Sequence, residues 1–281
     1  MTNPPEPPAP SAPIPALGII AGNGVYPFAL AKAARAAGVP RIAAAAFEGE
    51  TDPALVGLVD EIEWMRVGQL GRMLRTFSSR KIAHAIMAGQ IAPGNLFNLR
   101  PDLKAFLLLA RLRERNAETI FGAIGDELAK VGVELLPATT FMQAHLAAPG
   151  VFAGPRLSRR EETDVRFGFG IAKDVSRLDI GQTVVVKGGT VLAVEGFDGT
   201  NATIRRGGQL GKEGAVVVKV SKPNQDFRFD VPVIGPLTLE SAAEGQVRVI
   251  AVEAGRTLVM ERERVEELAA CHKISLYGMG E

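Results

Sequence analysis

The sequence predicts an α/β chain in two parts: a parallel, doubly wound N-terminal domain, then a mixed α+β C-terminal domain. Three observations lead there. The chain has 281 residues, 47% of them apolar, which is enough to bury two cores. From residue 17 to 148, short apolar runs alternate with helical patterns, the signature of right-handed βαβ crossovers. Beyond "APGVFAGPRLS" the texture changes to hairpin-forming runs such as "QTVVVKGGTVLAV".

The elements follow in order. "MTNPPEPPAPSAPIPA", residues 1–16, is rich in Pro and Ala and reads as a disordered leader; it lacks the charged start and apolar stretch of a signal peptide. "LGIIA" is a strand that runs into "GNG" and then an Ala-rich amphipathic helix ending at Gly38. "RIAAAAF" is wholly apolar, as expected of a strand covered on both faces. "GQLGRMLRTFSSRK" is helical, "IAHAIMAGQI" the third strand, "DLKAFLLLARLRE" and "ETIFGAIGDELAKVG" helices, and "VELLPATTF" a further strand. Residues 149–154 are the expected linker, with Pro149, Gly150, Gly154 and Pro155 near a hinge. In residues 155–281, Gly188 and Gly189 turn a hairpin, "GAVVVKVSKP" and "RVIAVEAGRTLVM" supply strands, and "ERERVEELAACH" closes on a helix.

Composition narrows the function. The net charge is +1 with no basic stripe among aromatics, which argues against nucleic acid as partner. A single cysteine, Cys271, rules out an internal disulfide framework and suits a reducing compartment. Three scattered histidines make a His-rich zinc site improbable and leave a hard cation on carboxylates as the metal option. No stretch is long and apolar enough to span a bilayer.

Three motifs stand out. "AGNGVYP" places Gly22, Asn23 and Gly24 between a strand and a helix N-terminus, where amides and the helix dipole suit an anion. The same glycines also fit a tight turn that needs positive φ, and Phe28 stands near where the dinucleotide fingerprint G-x-G-x-x-G wants its third glycine. "AVEGFDGT" brings Glu195 and Asp198 off a strand end, as metal ligands or as helix N-terminal acids, with Thr200 a candidate cap. "KVSKPNQDFRFDVPVIG" packs Lys219, Lys222, Gln225, Asp226, Arg228 and Asp230 between two prolines, far more charge and amide chemistry than a turn requires. Glu253, before a glycine turn, is a weaker metal candidate.

Together "GIIAGNGVYP", "MAGQI", "LAVEGFDGT", "KPNQDFRFDVPVIG" and "IAVEAGRTLV" resemble the UDP-2,3-diacylglucosamine pyrophosphatases of the LpxI type, over nearly the whole chain after the leader. One departure is "EGFDGT", where something closer to "EGTD" is expected. The resemblance implies a Rossmann-like N-terminal nucleotide-binding domain and a C-terminal catalytic and lipid-binding domain, with the ligand between them. It implies Mg²⁺-dependent hydrolysis of UDP-2,3-diacylglucosamine to UMP and 2,3-diacylglucosamine 1-phosphate (lipid X) in lipid A biosynthesis, with Mn²⁺ a possible substitute.

Phosphate chemistry agrees, since attack at phosphorus requires the pyrophosphate charge to be neutralised. On that reading the catalytic group is Asp226, Lys222, Gln225 and Arg228. Gly22, Asn23, Gly24, Thr200 and Lys219 contact substrate, and Asp226, Asp230 and Asp198 are the metal candidates. The diacyl substrate suggests a cytoplasmic protein touching the inner membrane peripherally, and a two-fold dimer is the commonest assembly. A dinucleotide-dependent oxidoreductase, with Glu48 on the ribose, and a non-catalytic nucleotide-sugar or lipid-binding module are the alternatives.

Overall fold

A computed structural model describes residues 13–91, 101–113, 117–223 and 225–280. Most of the expected leader lies outside these. Ile14 and Ala16, which the Pro-rich composition assigns to the leader, are buried. The chain forms two compact units. The C-terminal unit holds Gln143–Gln225 and Val231–Glu281; the N-terminal unit runs to Met142 and also takes in Asp226–Asp230.

The N-terminal unit is built on β1 (Leu17–Ala21), α1 (Tyr26–Ala36), β2 (Ile42–Phe47), β3 (Glu61–Met65), α2 (Leu70–Ser79), β4 (His84–Ala88), α3 (Leu103–Arg111), α4 (Ala117–Lys130) and β5 (Glu134–Leu135). Its sheet has the order β3-β2-β1-β4-β5, and every pairing is parallel. Ala43 to Ala46 are fully buried, as the apolar run of β2 implied. The strand that pattern reading misses is β3. Its Glu61 and Glu63 sit on the sheet edge, paired with Arg41, Arg72 and Arg80 at 2.6–3.2 Å, so its charge hides its strand character. The strand expected from "VELLPATTF" shrinks to two residues, and Pro137 just beyond lacks an N–H to extend the ladder.

In this strand order, β1 lies between β2 and β4, so the connections from β1 and from β4 diverge to opposite sides. That switch point is where open α/β sheets leave a crevice at the carboxyl ends of their strands. Here the turns after β1 and β4 approach so closely that both need glycine. A Cβ on Gly22 would lie 2.4 Å from the Gln90 carbonyl oxygen, and one on Gly89 would lie 2.4 Å from that of Asn23.

The C-terminal unit contains β6 (Gly150–Ala153), α5 (Arg159–Arg177), β7 (Thr183–Lys187), β8 (Thr190–Val194), α6 (Gly199–Gly211), β9 (Ala215–Lys219), β10 (Val233–Ile234), α7 (Pro236–Glu244), β11 (Val247–Glu253), β12 (Leu258–Val259), α8 (Arg262–His272) and β13 (Ser275–Met279). Its main sheet has the order β6-β13-β11-β9-β7-β8, with β13, β11 and β9 parallel and β6, β7 and β8 joined antiparallel. The hairpin at Gly188 and Gly189 forms as expected.

Side chains alternate between the two faces. Val184, Val186, Val216 and Val218 pack with Val165 and Ala172 of α5. Val185, Ala215 and Val217 pack with Ile204 of α6 and Leu239 of α7. Small residues let the helices sit close: a Cβ on Gly168 would meet Val218 at 2.7 Å, and one on Gly207 would meet Val185 at 2.5 Å.

One expectation is corrected here. Residues 149–154 are not a linker: Gly150–Ala153 is a strand antiparallel to β13, and Gly154 is pinned so tightly that a Cβ there would lie 2.0 Å from the Ile274 carbonyl oxygen. The long helix α5 follows at once. It is started by a capping box in which Glu161 N donates to Ser158 Oγ (3.3 Å) and Ser158 N donates to Glu161 Oε2 (2.6 Å).

Close backbone approach at the switch point has a measurable consequence. Gly22→Ala should lower unfolding free energy by about 1–3 kcal/mol in denaturant titration, the usual cost of forcing atoms into a packed site. Gly57→Ala, where an added Cβ meets nothing within 4 Å, should be near neutral. Equal stability for the two variants would refute the close-approach account.

Candidate functional site

At the switch point of the N-terminal unit, the "GNG" turn is knitted to the end of β4. The Gly22 amide donates to Ala88 O (2.8 Å) and the Asn23 amide to Gln90 O (2.7 Å), while Gln90 N returns a bond to Asn23 O (3.3 Å). Two of the three amides expected to cradle phosphate are therefore engaged within the protein. Gly24 keeps the feature a cradle needs, φ of +86° with open space on its Cβ side. The Asn23 side chain donates from Nδ2 to Glu50 Oε2 (2.8 Å), and Glu50 is buried at the end of β2. Tyr26 opens α1 and donates its hydroxyl to Ala138 O; burial pushes its pKa well up, so it stays a donor. Glu48, the ribose ligand an oxidoreductase would use, faces Arg66 at 3.6 Å instead.

The segment that reads as one motif is shared between the units. Lys219, Lys222 and Gln225 belong to the C-terminal unit, whereas Asp226, Arg228 and Asp230 belong to the N-terminal one. Residues 226–230 make a single turn, closed by Asp230 N donating to Asp226 O at 3.0 Å. The turn rests on α4 and the chain after β5. Ala138 N donates to Phe227 O (2.7 Å), the Phe229 ring lies 5.7 Å from that of Phe121, and a Cβ on Gly125 would meet Arg228 Nη1 at 3.4 Å.

Within the turn Arg228 forks onto Asp226, donating from Nε to Oδ1 (2.9 Å) and from Nη2 to Oδ2 (2.6 Å), and its own amide donates to Oδ1 (3.0 Å). Partial burial pushes the Asp226 carboxyl upward, but the Arg228 guanidinium and amide outweigh it and hold the group below the usual aspartate range.

The C-terminal unit gathers polar groups along one sheet edge. Because β7 runs opposite to both β8 and β9, the ends of β8, β9, β11 and β13 all fall on that edge together with the start of β7. Lys219, at the end of β9 and buried, donates from Nζ to Thr200 Oγ1 and to Val233 O, each at 3.2 Å. Thr200 in turn donates to Glu195 Oε1 (2.7 Å), whose other oxygen accepts from Gln182 N at 3.3 Å. Thr200 is thus not the helix cap expected of it: Asp198 holds that position and Thr200 sits in the first turn of α6.

Asp198 itself is exposed, accepts from Gly196 N (3.1 Å) and pairs with Arg206 (3.1 Å) and Thr203 (3.3 Å); these bonds hold its carboxyl below the usual range. Beyond β9, Lys222 pairs with Asp179. Its amide donates to Gln225 Oε1 at 2.6 Å, and Gln225 Nε2 is buried without a hydrogen-bond partner among the described residues.

One feature of this edge escaped the sequence reading. Glu253, at the end of β11, accepts from the Ser221 amide and from Ser221 Oγ (2.5 Å) on Oε2. Its Oε1 pairs at 2.6 Å with Lys173 of α5, which also donates to Ser221 O at 2.9 Å. Lys173 carried no motif. Its only sequence signal is a cation beside Ala172 on the stripe of α5 that packs against the sheet.

Among the described residues, no group of three or more His, Cys, Asp or Glu is arranged to hold a metal by itself. A hydrated magnesium ion needs less, one or two carboxylates completed by substrate phosphate and water. Asp226 and Asp230 are two carboxylates on one closed turn that could take part in such a site, with both Asp226 oxygens accepting from Arg228. Asp198 lies apart from that turn, and both its oxygens are likewise engaged, by its own loop and helix.

The depressed carboxyl gives a direct test. Because the folded-state pKa of Asp226 lies below the unfolded value, the pair with Arg228 stabilises above the usual aspartate range. That contribution is lost as pH falls through the depressed value. Carboxyl NMR titration should find the Asp226 midpoint below that of an ordinary aspartate, and Arg228→Gln should move it up. An unmoved midpoint would show that Arg228 is not what holds it.

Residues 16–145 match the LpxI N-terminal domain family and residues 148–277 the LpxI C-terminal domain family. The chain is also similar to the UDP-2,3-diacylglucosamine pyrophosphatase LpxI of Caulobacter vibrioides, at 30% identity over 275 residues that cover 94% of this chain and 96% of that protein. Both units are matched, each across nearly its full length, and the chain belongs to the LpxI family.

Proposed function

We propose that this protein hydrolyses the pyrophosphate of UDP-2,3-diacylglucosamine, giving UMP and 2,3-diacylglucosamine 1-phosphate, in a Mg²⁺-dependent step of lipid A biosynthesis. The observation that carries the reading is the near full-length similarity, through both units, to an enzyme of that name. The charged residues are of the kind phosphate chemistry uses: two lysines on one sheet edge of the C-terminal unit, and an arginine and two carboxylates on one turn of the N-terminal unit.

Hydrolysis forms one bond from a water oxygen to phosphorus and breaks the bridging P–O bond, with the water's protons released. Lys219 and Lys222 would neutralise phosphate oxygens, as would Arg228 through its planar fork. The crevice at Gly24 would take the nucleotide end, with Asn23 held by Glu50 to shape it. Asp226 is a poor proton acceptor near neutral pH because its pKa is held down, whereas a base works best with a pKa near the working pH. Its role is that of a lasting anion that orients water or ligates metal, together with Asp230. Bound magnesium would supply Lewis-acid polarisation of the phosphoryl oxygens and screening of their charge.

No helix among the described residues is long and apolar enough to cross a membrane. The proposed diacyl substrate points to peripheral contact with the cytoplasmic face of the inner membrane.

Incubation with UDP-2,3-diacylglucosamine should release UMP and lipid X with Mg²⁺, stop in EDTA and resume with Mg²⁺ or Mn²⁺. Asp226→Ala should lower kcat by about 100-fold or more, the scale of a group acting on the reacting water. Full turnover in exhaustive chelator would remove the metal from the scheme. Binding of the substrate with no UMP release would make the protein a binding module.

A further inference from the structure

Ser221 is the residue from which the chain leaves β9 toward Lys222 and Gln225, and every polar group it owns is held by one ion pair. Its amide and hydroxyl both donate to Glu253 Oε2, the hydroxyl at 2.5 Å. Its carbonyl accepts from Lys173 Nζ at 2.9 Å, and Nζ also stands 3.5 Å from its Oγ. The pair closes on itself through Lys173 Nζ and Glu253 Oε1 at 2.6 Å. Ser221 is fully buried and Glu253 nearly so. Lys173 also lies over the Phe169 ring, 5.5 Å from its centroid and one helical turn away. The two charges come from elements far apart in sequence, α5 and β11, and meet on a serine from neither.

A backbone that merely had to end a strand would satisfy its amide and carbonyl through the ladder or water. Here a buried carboxylate and a half-buried ammonium are brought together, although burying an ion pair is seldom the cheapest way to gain stability. What such a pair provides is direction: with its amide, hydroxyl and carbonyl all engaged, Ser221 has one orientation. The next residues inherit it. Lys222 N is tied to Gln225 Oε1 at 2.6 Å and Gln225 N to Lys222 O at 3.2 Å, while the Lys222 ammonium pairs with Asp179.

We infer that Lys173 and Glu253 are positioning residues that act through Ser221, fixing where Lys222 and Gln225 stand for phosphate binding. Neither charge touches the substrate; each holds the residue that launches the groups which do. The inference rests on the pyrophosphatase reading for its catalytic consequence and on geometry alone for the positioning itself.

The test reads both. Lys173→Met, Lys173→Arg, and the double variant Lys173→Met with Glu253→Gln, which leaves no lone buried charge, are compared with wild type. The readouts are thermal unfolding, amide hydrogen exchange, and kcat and KM for UMP release. Lys173→Met should speed exchange at the Ser221, Lys222 and Gln225 amides while leaving β1 and α4 unchanged. Its kcat should fall about 10²-fold, the cost of an ångström-scale misplacement at a reacting centre, with a smaller change in KM. The double variant should behave like Lys173→Met, because the pair acts as a unit. Lys173→Arg, which keeps a donor and a charge, should restore much of both exchange protection and kcat.

Unchanged exchange at those amides in Lys173→Met would overturn the inference, as would a kcat within threefold of wild type. So would an activity loss that merely tracks a drop in Tm, since a structural role would move the two together. Failure of wild type to release UMP would sink the hydrolase reading instead, and the exchange pattern would still decide whether the pair positions Ser221.

Discussion

A strand covered on both faces offers chemistry only at its ends, and that constraint organises both units. Ala43 to Ala46, Val184 to Val186 and Val216 to Val218 are buried on alternate sides, so no side chain in those stretches can meet a solute. Polar residues accordingly begin where the strands stop. Asn23 follows β1 and Gln90 follows β4. Lys219 ends β9, Glu195 follows β8, and Glu253 ends β11. The parallel direction then places several ends on one edge, and residues separated by tens of positions in sequence become hydrogen-bond partners without any further device.

This explains which parts of the fold were legible. "LGIIAGNG" and "RIAAAAF" were readable because apolar runs of that length, bounded by Gly, have few other solutions. The hairpin at Gly188 and Gly189 was readable for the same reason. Edge elements were not. In β3, Glu61 and Glu63 earn their place through Arg41, Arg72 and Arg80, which come from elsewhere in the chain. Residues 149–154 look like a linker because they are rich in Gly and Pro. Yet Gly154 is there to let its backbone lie against Ile274, a close approach that only the folded structure reveals.

The site divides along similar lines. The residue types in "SKPNQDFRFD" announce anion chemistry, and Arg228 does meet Asp226 two residues away, a local pairing sequence can suggest. Nothing local says that Asp226–Asp230 fold with the N-terminal unit while Gln225 and Val231 stay with the other. That assignment depends on Phe229 finding Phe121 and on Phe227 O finding the Ala138 amide, contacts about a hundred positions apart in the chain. Lys173 and Ser221 were invisible for a related reason. A lysine in an amphipathic helix is ordinary until a carboxylate from another element is seen 2.6 Å away.

Electrostatics link these pieces to turnover. Two cations of the proposed site are paired within the protein: Arg228 with Asp226, and Lys222 with Asp179. A phosphate that binds them must compete with these carboxylates, so what counts is the difference between two pairings rather than the strength of one. The competition also has a sign. Arg228 is what holds the Asp226 carboxyl below its usual range, against the upward push of burial. A phosphate that drew the guanidinium away would remove the stabilising charge and leave the burial, and the Asp226 pKa would then rise. A second like charge nearby pushes in the same direction. The fork of Arg228 on Asp226 and the depressed carboxyl are thus one feature: whatever loosens the first raises the second.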